Sequence, residues 1–119
     1  MDNLFKDMPA TSAVYSTYCS ACHQHDGKGD GNRFPPLAQS EWVNYNTRRL
    51  IRVVLNGMKG PIQVKGQSYN EVMPPHANVL SDDQIAEVLT YIKSNFRNTP
   101  EIVTPAEVSE VRKMVSSKQ

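Results

Sequence analysis

Cys19 and Cys22 are the only cysteines in a chain of 119 residues, and His23 follows the second of them directly. Two thiols two residues apart with an imidazole next in line form the C-x-x-C-H spacing that attaches c-type haem. Each thiol can add its S–H across one vinyl group of the porphyrin, and the adjacent imidazole is then close enough to ligate the iron. Other chemistry of these residues fits less well. A thioredoxin-like C-x-x-C belongs near a βαβ pattern, where a helix N-terminus lowers the pKa of the first thiol, whereas the residues before Cys19 read as a helix. A closed zinc site needs more ligands, and no second C-x-x-C or H-x(3-5)-H follows.

An iron held by one imidazole needs a sixth ligand to stay low-spin and closed to substrates. A thioether in that place favours the ferrous state and raises the potential relative to a second histidine. Met73-Pro74-Pro75 offers one, because two prolines hold the backbone extended just after the sulfur and a capped helix follows. Methionine is more often core filler, so Met58 stands as the second candidate and His76 as the third. His25, two residues from His23, would have to reach around the ring edge and reads as a solvated loop histidine.

A helix running into Cys19-Ser20-Ala21-Cys22-His23 is followed by Pro35-Pro36-Leu37, by Val72-Met73-Pro74-Pro75 and by an amphipathic helix. In that order, over residues 9 to 96, the chain resembles the class I cytochrome c family. The resemblance implies an all-α cytochrome c fold around one haem c bound covalently through Cys19 and Cys22. His23 and Met73 would be the axial ligands. The Pro35 carbonyl would accept from His23 Nδ1, Leu37 would pack on the porphyrin, and Tyr15, four residues before the first cysteine, would pack on the last family helix. The resemblance departs at Thr11, where many members carry the glycine that lets two helices cross closely.

The elements that must position these residues follow from periodicity. Pro9 opens a helix whose Val14, Tyr15 and Tyr18 make one stripe. A polar, glycine-rich loop runs from Gln24 to Asn32; it is not a phosphate loop, since no apolar strand precedes it and no Lys-Ser/Thr pair follows. Asn46 or Thr47 caps a helix through Leu50, Ile51, Val54 and Leu55 that stops at Gly57. Its Arg48, Arg49 and Arg52, with Lys59, read as a solvated face from which one cation could meet a haem propionate, as could the Trp42 indole N–H. Residues 60–64 and 67–72 alternate around Lys65-Gly66 and predict a small β-hairpin. Ser81-Asp82-Asp83-Gln84 is a capping box opening a helix with Ile85, Val88, Leu89 and Ile92 on one face.

Residues 1–8 read as a linker or frayed end, residues 9–97 as the cytochrome c domain, and residues 98–119 as an extension. In the extension Thr104-Pro105-Ala106-Glu107 starts another helix, whose narrow stripe of Val108, Val111 and Val115 is expected to pack back on the domain rather than on a partner. A net charge of +1 excludes nucleic acid or an anionic membrane as the main partner. No stretch is long and apolar enough to cross a bilayer, and no secretory leader is apparent at residues 1–6.

The expectation is therefore a single-electron carrier with no catalytic side chain of its own. It would work in the periplasm or another extracytoplasmic space, with any leader removed or lying outside this stretch of sequence. Its partner would be a periplasmic oxidoreductase such as a quinoprotein dehydrogenase or a reductase, or a fused catalytic domain, met by transient docking. Oligomeric state is not readable. The competing classes are a haem sensor or peroxidase-like enzyme with an open sixth position, and a haem-free thiol oxidoreductase.

Overall fold

The computed structural model describes residues 11–30 and 33–116. Five α-helices and one two-stranded antiparallel sheet make up its regular structure, together with a π-helical segment. The linker expected at residues 1–8 and the helix start expected at Pro9 lie outside the described residues. Within them, Ser12 opens the first helical stretch, its Oγ accepting from Tyr15 N at 3.0 Å.

That stretch is not uniformly α-helical. Tyr15–Cys19 forms a π-turn, closed by the Ser20 N–H on the Tyr15 carbonyl, and Ser20–His23 forms α1. Single π-turns widen a helix by one residue and recur at functional sites; this one ends on the first cysteine. Tyr15 is buried, and its ring centroid lies 5.4 Å from that of Tyr91 and 5.3 Å from that of Phe96. The family crossing is thus made by aromatic rings, with Thr11 exposed and Ser12 Oγ donating to Glu87 of the opposing helix at 3.1 Å.

The Tyr15 hydroxyl also donates to the Gln24 carbonyl at 2.6 Å, which fixes the chain where it leaves the cysteine motif. Burial raises this phenol above its ordinary value of 10.0. The stability held by the neutral phenol is therefore fully present below that pH and is lost as pH climbs past it. Tyr15→Phe is expected to lower stability near neutral pH by about 1 kcal/mol. The gap to the parent should close in alkaline denaturation curves.

Two short elements frame the next corner. Glu41–Asn44 is α2, capped by Ser40, and Thr47–Asn56 is α3, capped by the Asn46 side chain on Arg49 N and ended at Gly57. Strands β1 (Ile62–Val64) and β2 (Gln67–Tyr69) pair with Ile62 opposite Tyr69 and Val64 opposite Gln67. Both turn residues, Lys65 and Gly66, sit at positive φ, as tight hairpins of this twist require. The strands are shorter than the alternation predicts, because after Tyr69 the chain leaves the hairpin. It pairs next through Met73, whose N–H and C=O both bond Met58.

Asp82–Ser94 is α4, opened by the predicted capping box, and Pro105–Ser116 is α5. Its stripe packs back on the body: Val108 and Val111 are buried, and the helix lies against α3 and α4. Arg48 pairs with Glu110 of α5 at 3.2 Å, so it serves this packing. The residues before α5 are pinned by Thr90 Oγ1, which donates to the Val103 carbonyl and accepts from Val103 N. Lys93, 1% exposed, donates to the Val43 carbonyl at 2.7 Å and pairs with Glu101 at 3.1 Å.

Candidate functional site: an apolar cleft at the cysteine motif

Val43, Leu50, Val54, Leu80, Val88, Leu89 and Ile92 belong to the core and also line one wall of a deep cleft. The cleft holds a cavity of about 160 Å³, and Cys19, Cys22, His23, Met58 and Met73 all border it. Pro35, Leu37, Trp42 and His76 complete the set of candidates that the structure brings together. His25 lies apart, exposed in the loop after the motif.

The loop geometry explains how His23 is held. Gly29 N bonds the His23 carbonyl, while Leu37 N and Ala38 N both bond the Gly27 carbonyl, which folds residues 33–38 back over the motif. This brings the Pro35 carbonyl to 2.9 Å from His23 Nδ1. A carbonyl can only accept, so the proton is on Nδ1 and Nε2 keeps its lone pair for a metal. Burial lowers the pKa of His23, against an opposing pull from this hydrogen bond, and so keeps the imidazole in its neutral, ligating form.

The Cys19 thiol is unsuited to nucleophilic work. Burial pushes Cys19 up to about 11, with Cys22 adding to the effect, whereas a thiol oxidoreductase depends on a lowered thiol pKa. Among the described residues no group of three His, Cys, Asp or Glu side chains is gathered for a metal ion.

Haem fits what is present. The walls are apolar, two cysteines and a histidine stand at one lip, and two methionines line the same space. Two buried polar atoms, His76 Nδ1 and Arg49 Nε, have no hydrogen-bond partner among the described residues. The Arg49 guanidinium stacks 3.9 Å from the Trp42 ring centroid. The Trp42 indole N–H, expected to face a propionate, donates instead to the Gln63 carbonyl at 2.9 Å. What Trp42 offers the cleft is therefore its ring, and its N–H ties α2 to the hairpin.

Met73 is positioned by backbone rather than by side-chain packing alone. Its bridge to Met58 uses bonds of 2.8 and 2.9 Å, and His76 N and Ala77 N continue the attachment onto the Val54 and Leu55 carbonyls at the end of α3. Gly57, at φ +73°, allows the close approach: a Cβ there would stand 2.3 Å from the Met73 oxygen. Sequence reasoning missed this role, reading Gly57 only as a helix stop. It also missed the Asn44–Asn98 pair, through which Asn98 Nδ2 reaches the Leu37 and Ile92 carbonyls and fixes the loop that carries Leu37.

The comparisons agree with this geometry. The family model described as cytochrome c matches residues 10–96. Cytochrome c-552 of Thermus thermophilus is 36% identical over 115 residues, covering 92% of this chain and 87% of the relative. The cytochrome c subunit of a quinone alcohol dehydrogenase from Gluconacetobacter polyoxogenes is 35% identical over 83% of this chain, and the fructose dehydrogenase cytochrome subunit of Gluconobacter japonicus 31% over 85%. In each of these subunits the matched part is only 21% of the relative's length. The C-x-x-C-H motif, the cleft beside it and the match across residues 10–96 lead to one assignment: this chain belongs to the cytochrome c family of electron-transfer haem proteins.

Proposed function

We propose that this chain is a single-electron carrier with one haem c attached through Cys19 and Cys22 and ligated by His23 and Met73. Haem, when bound, supplies the ferric/ferrous couple. The protein's part is to hold that couple still. His23 is oriented by Pro35; Met73 is clamped by Met58 and by the attachment of residues 76 and 77 to α3; Leu37 and the aliphatic wall exclude water. With both axial positions filled by rigidly held side chains, oxidation state would change with little rearrangement. The observation that carries this reading is the Nδ1–carbonyl bond of 2.9 Å, which leaves Nε2 of the motif histidine for a metal in an apolar cleft that Met73 also lines.

The likeness to dehydrogenase cytochrome subunits supports a redox enzyme as partner, such as a quinoprotein dehydrogenase, either separate or fused. The exposed rings and methyls of Tyr18 and Val72 beside the cleft suit a small, transient contact of the kind electron carriers use. We take residues 9–97 as the carrier domain and residues 98–119 as an extension that braces it. The periplasm or another extracytoplasmic space is the proposed place of work. No helix among the described residues is long and apolar enough to span a membrane.

Replacing Met73 tests the assignment. Met73→Ala should lose the far-red sulfur-to-iron band, bind carbon monoxide rapidly once reduced, and lower its potential by on the order of 0.1 V, within the range of about 0.8 V that axial ligands span. Parent protein that already binds carbon monoxide rapidly would instead be an open-site sensor or enzyme. A variant with unchanged band and potential would transfer the ligand role to Met58, the other thioether that borders the cleft.

A further inference from the structure

We propose that Arg112, on a helix beyond the family match, is a positioning residue for the segment that carries Met73. This rests on the reading of Met73 as axial ligand.

Residues 74–80 contain neither helix nor strand, and Pro74 and Pro75 contribute no amide donors. Four of the five amides that the segment does have are used within the main chain: His76 N and Ala77 N bond α3 carbonyls, and Val79 N and Leu80 N bond the His76 carbonyl. Carbonyls then need donors from elsewhere. Arg112 supplies them. Its Nη1 donates to the Ala77 carbonyl at 2.6 Å, its Nη2 to the Leu80 carbonyl at 2.9 Å, and its Nε to Asp82 Oδ1 at 2.8 Å.

A guanidinium is planar, so three donors engaged at once hold three acceptors in one fixed arrangement, which a lysine's point charge cannot do. The acceptors straddle the junction between the methionine segment and α4. The near end of that segment is fastened by Met58 and α3, whereas the far end is fastened by a side chain from α5. For Met73 to withdraw, residues 74–80 must lift. Arg112 opposes that movement from a position 39 residues along the chain.

The test uses the full-length, haem-loaded protein. Arg112→Leu, which keeps an apolar stem and removes every donor, should raise the affinity of the ferric form for added imidazole on the order of tenfold, the scale of one charge-assisted hydrogen bond. Hydrogen exchange at the Ala77, Val79 and Leu80 amides should quicken in the same variant, and Arg112→Lys should recover only part of either effect. Val108→Ala is the control, since it loosens the buried face of α5 and leaves the guanidinium intact. It should melt lower with imidazole affinity and segment exchange at the parent values.

Unchanged affinity and exchange in Arg112→Leu would overturn the proposal, as would equal changes in Val108→Ala. If the parent protein lacks the sulfur-to-iron band, the Met73 reading has failed by itself. Hydrogen exchange then decides alone: faster exchange at residues 77–80 in Arg112→Leu but not in Val108→Ala supports the fastening role, and no difference refutes it.

Discussion

A chain with both Cys19 and Cys22 changed to alanine is expected to emerge from a haem-attaching host without covalent pigment and without a cooperative fold. The reason lies in how much of the core faces the cleft. Leu50, Val54, Leu80, Val88, Leu89 and Ile92 come from α3, α4 and the segment between them, and all line the cleft that the haem would fill. At about 24 cal/mol per Å³ of unfilled cavity, a cavity of about 160 Å³ corresponds to about 4 kcal/mol. That is most of the stability of a domain at the lower end of the usual range of about 5–15 kcal/mol.

Collapse of the walls or entry of water would reduce the cost only by giving up native packing. Haem-stained denaturing gels should show no pigment for the double variant, and near-ultraviolet circular dichroism should show no cooperative melt. Helical content in the far ultraviolet should persist in part, because α4 and α5 carry their own caps. A colourless double variant that melts as sharply as the parent would mean that the cleft is not the centre of this fold.

What could be read from the sequence was short-range. The C-x-x-C-H spacing, the Ser81–Gln84 capping box and the Asn46 to Gly57 limits of α3 each place cause and effect within one or two helical turns. The Pro35 carbonyl came through family resemblance, twelve residues from its histidine. Long-range polar contacts stayed hidden because their residues look ordinary in one dimension. Lys93 sits in the last turn of an amphipathic helix, where a lysine suits the helix dipole and usually meets water. Only the fold shows it buried against the Val43 carbonyl and Glu101.

Trp42 and Arg48 were also underdetermined in one dimension: the Trp42 indole N–H donates to the hairpin, and Arg48, read with its neighbours as part of a solvated face, pairs with Glu110 of α5. The π-turn at Tyr15–Cys19 had no signal either. Its sequence, Tyr-Ser-Thr-Tyr-Cys, has the same apolar spacing as an α-helix, and no residue in it marks the extra residue per turn.

Gly57→Ala is expected to separate haem attachment from axial ligation. The added Cβ would stand 2.3 Å from the Met73 oxygen, 2.8 Å from Pro75 N and 2.9 Å from the Pro74 carbonyl carbon. All three are backbone atoms, so no side-chain rotation relieves the contact. The two strands of the Met58–Met73 bridge must part, and with them go the 2.8 and 2.9 Å bonds that hold the ligand's own peptide. A residue with a Cβ at φ +73° and ψ −171°, a region essentially kept to glycine, costs about 1–3 kcal/mol even in open space, and each lost backbone hydrogen bond adds about 1 kcal/mol. The cysteine motif is not among the atoms that the added carbon would meet. The variant should therefore carry covalent haem in parent yield, lose the sulfur-to-iron band in most molecules, and bind carbon monoxide when reduced.

Gly66→Ala is the matched comparison. It sits at φ +81° in the hairpin turn with nothing within 4 Å of the added carbon, so it should show the conformational cost alone and keep the band. Equal spectra for the two variants, both with intact sulfur ligation, would show that the close approach at Gly57 does not govern where Met73 stands.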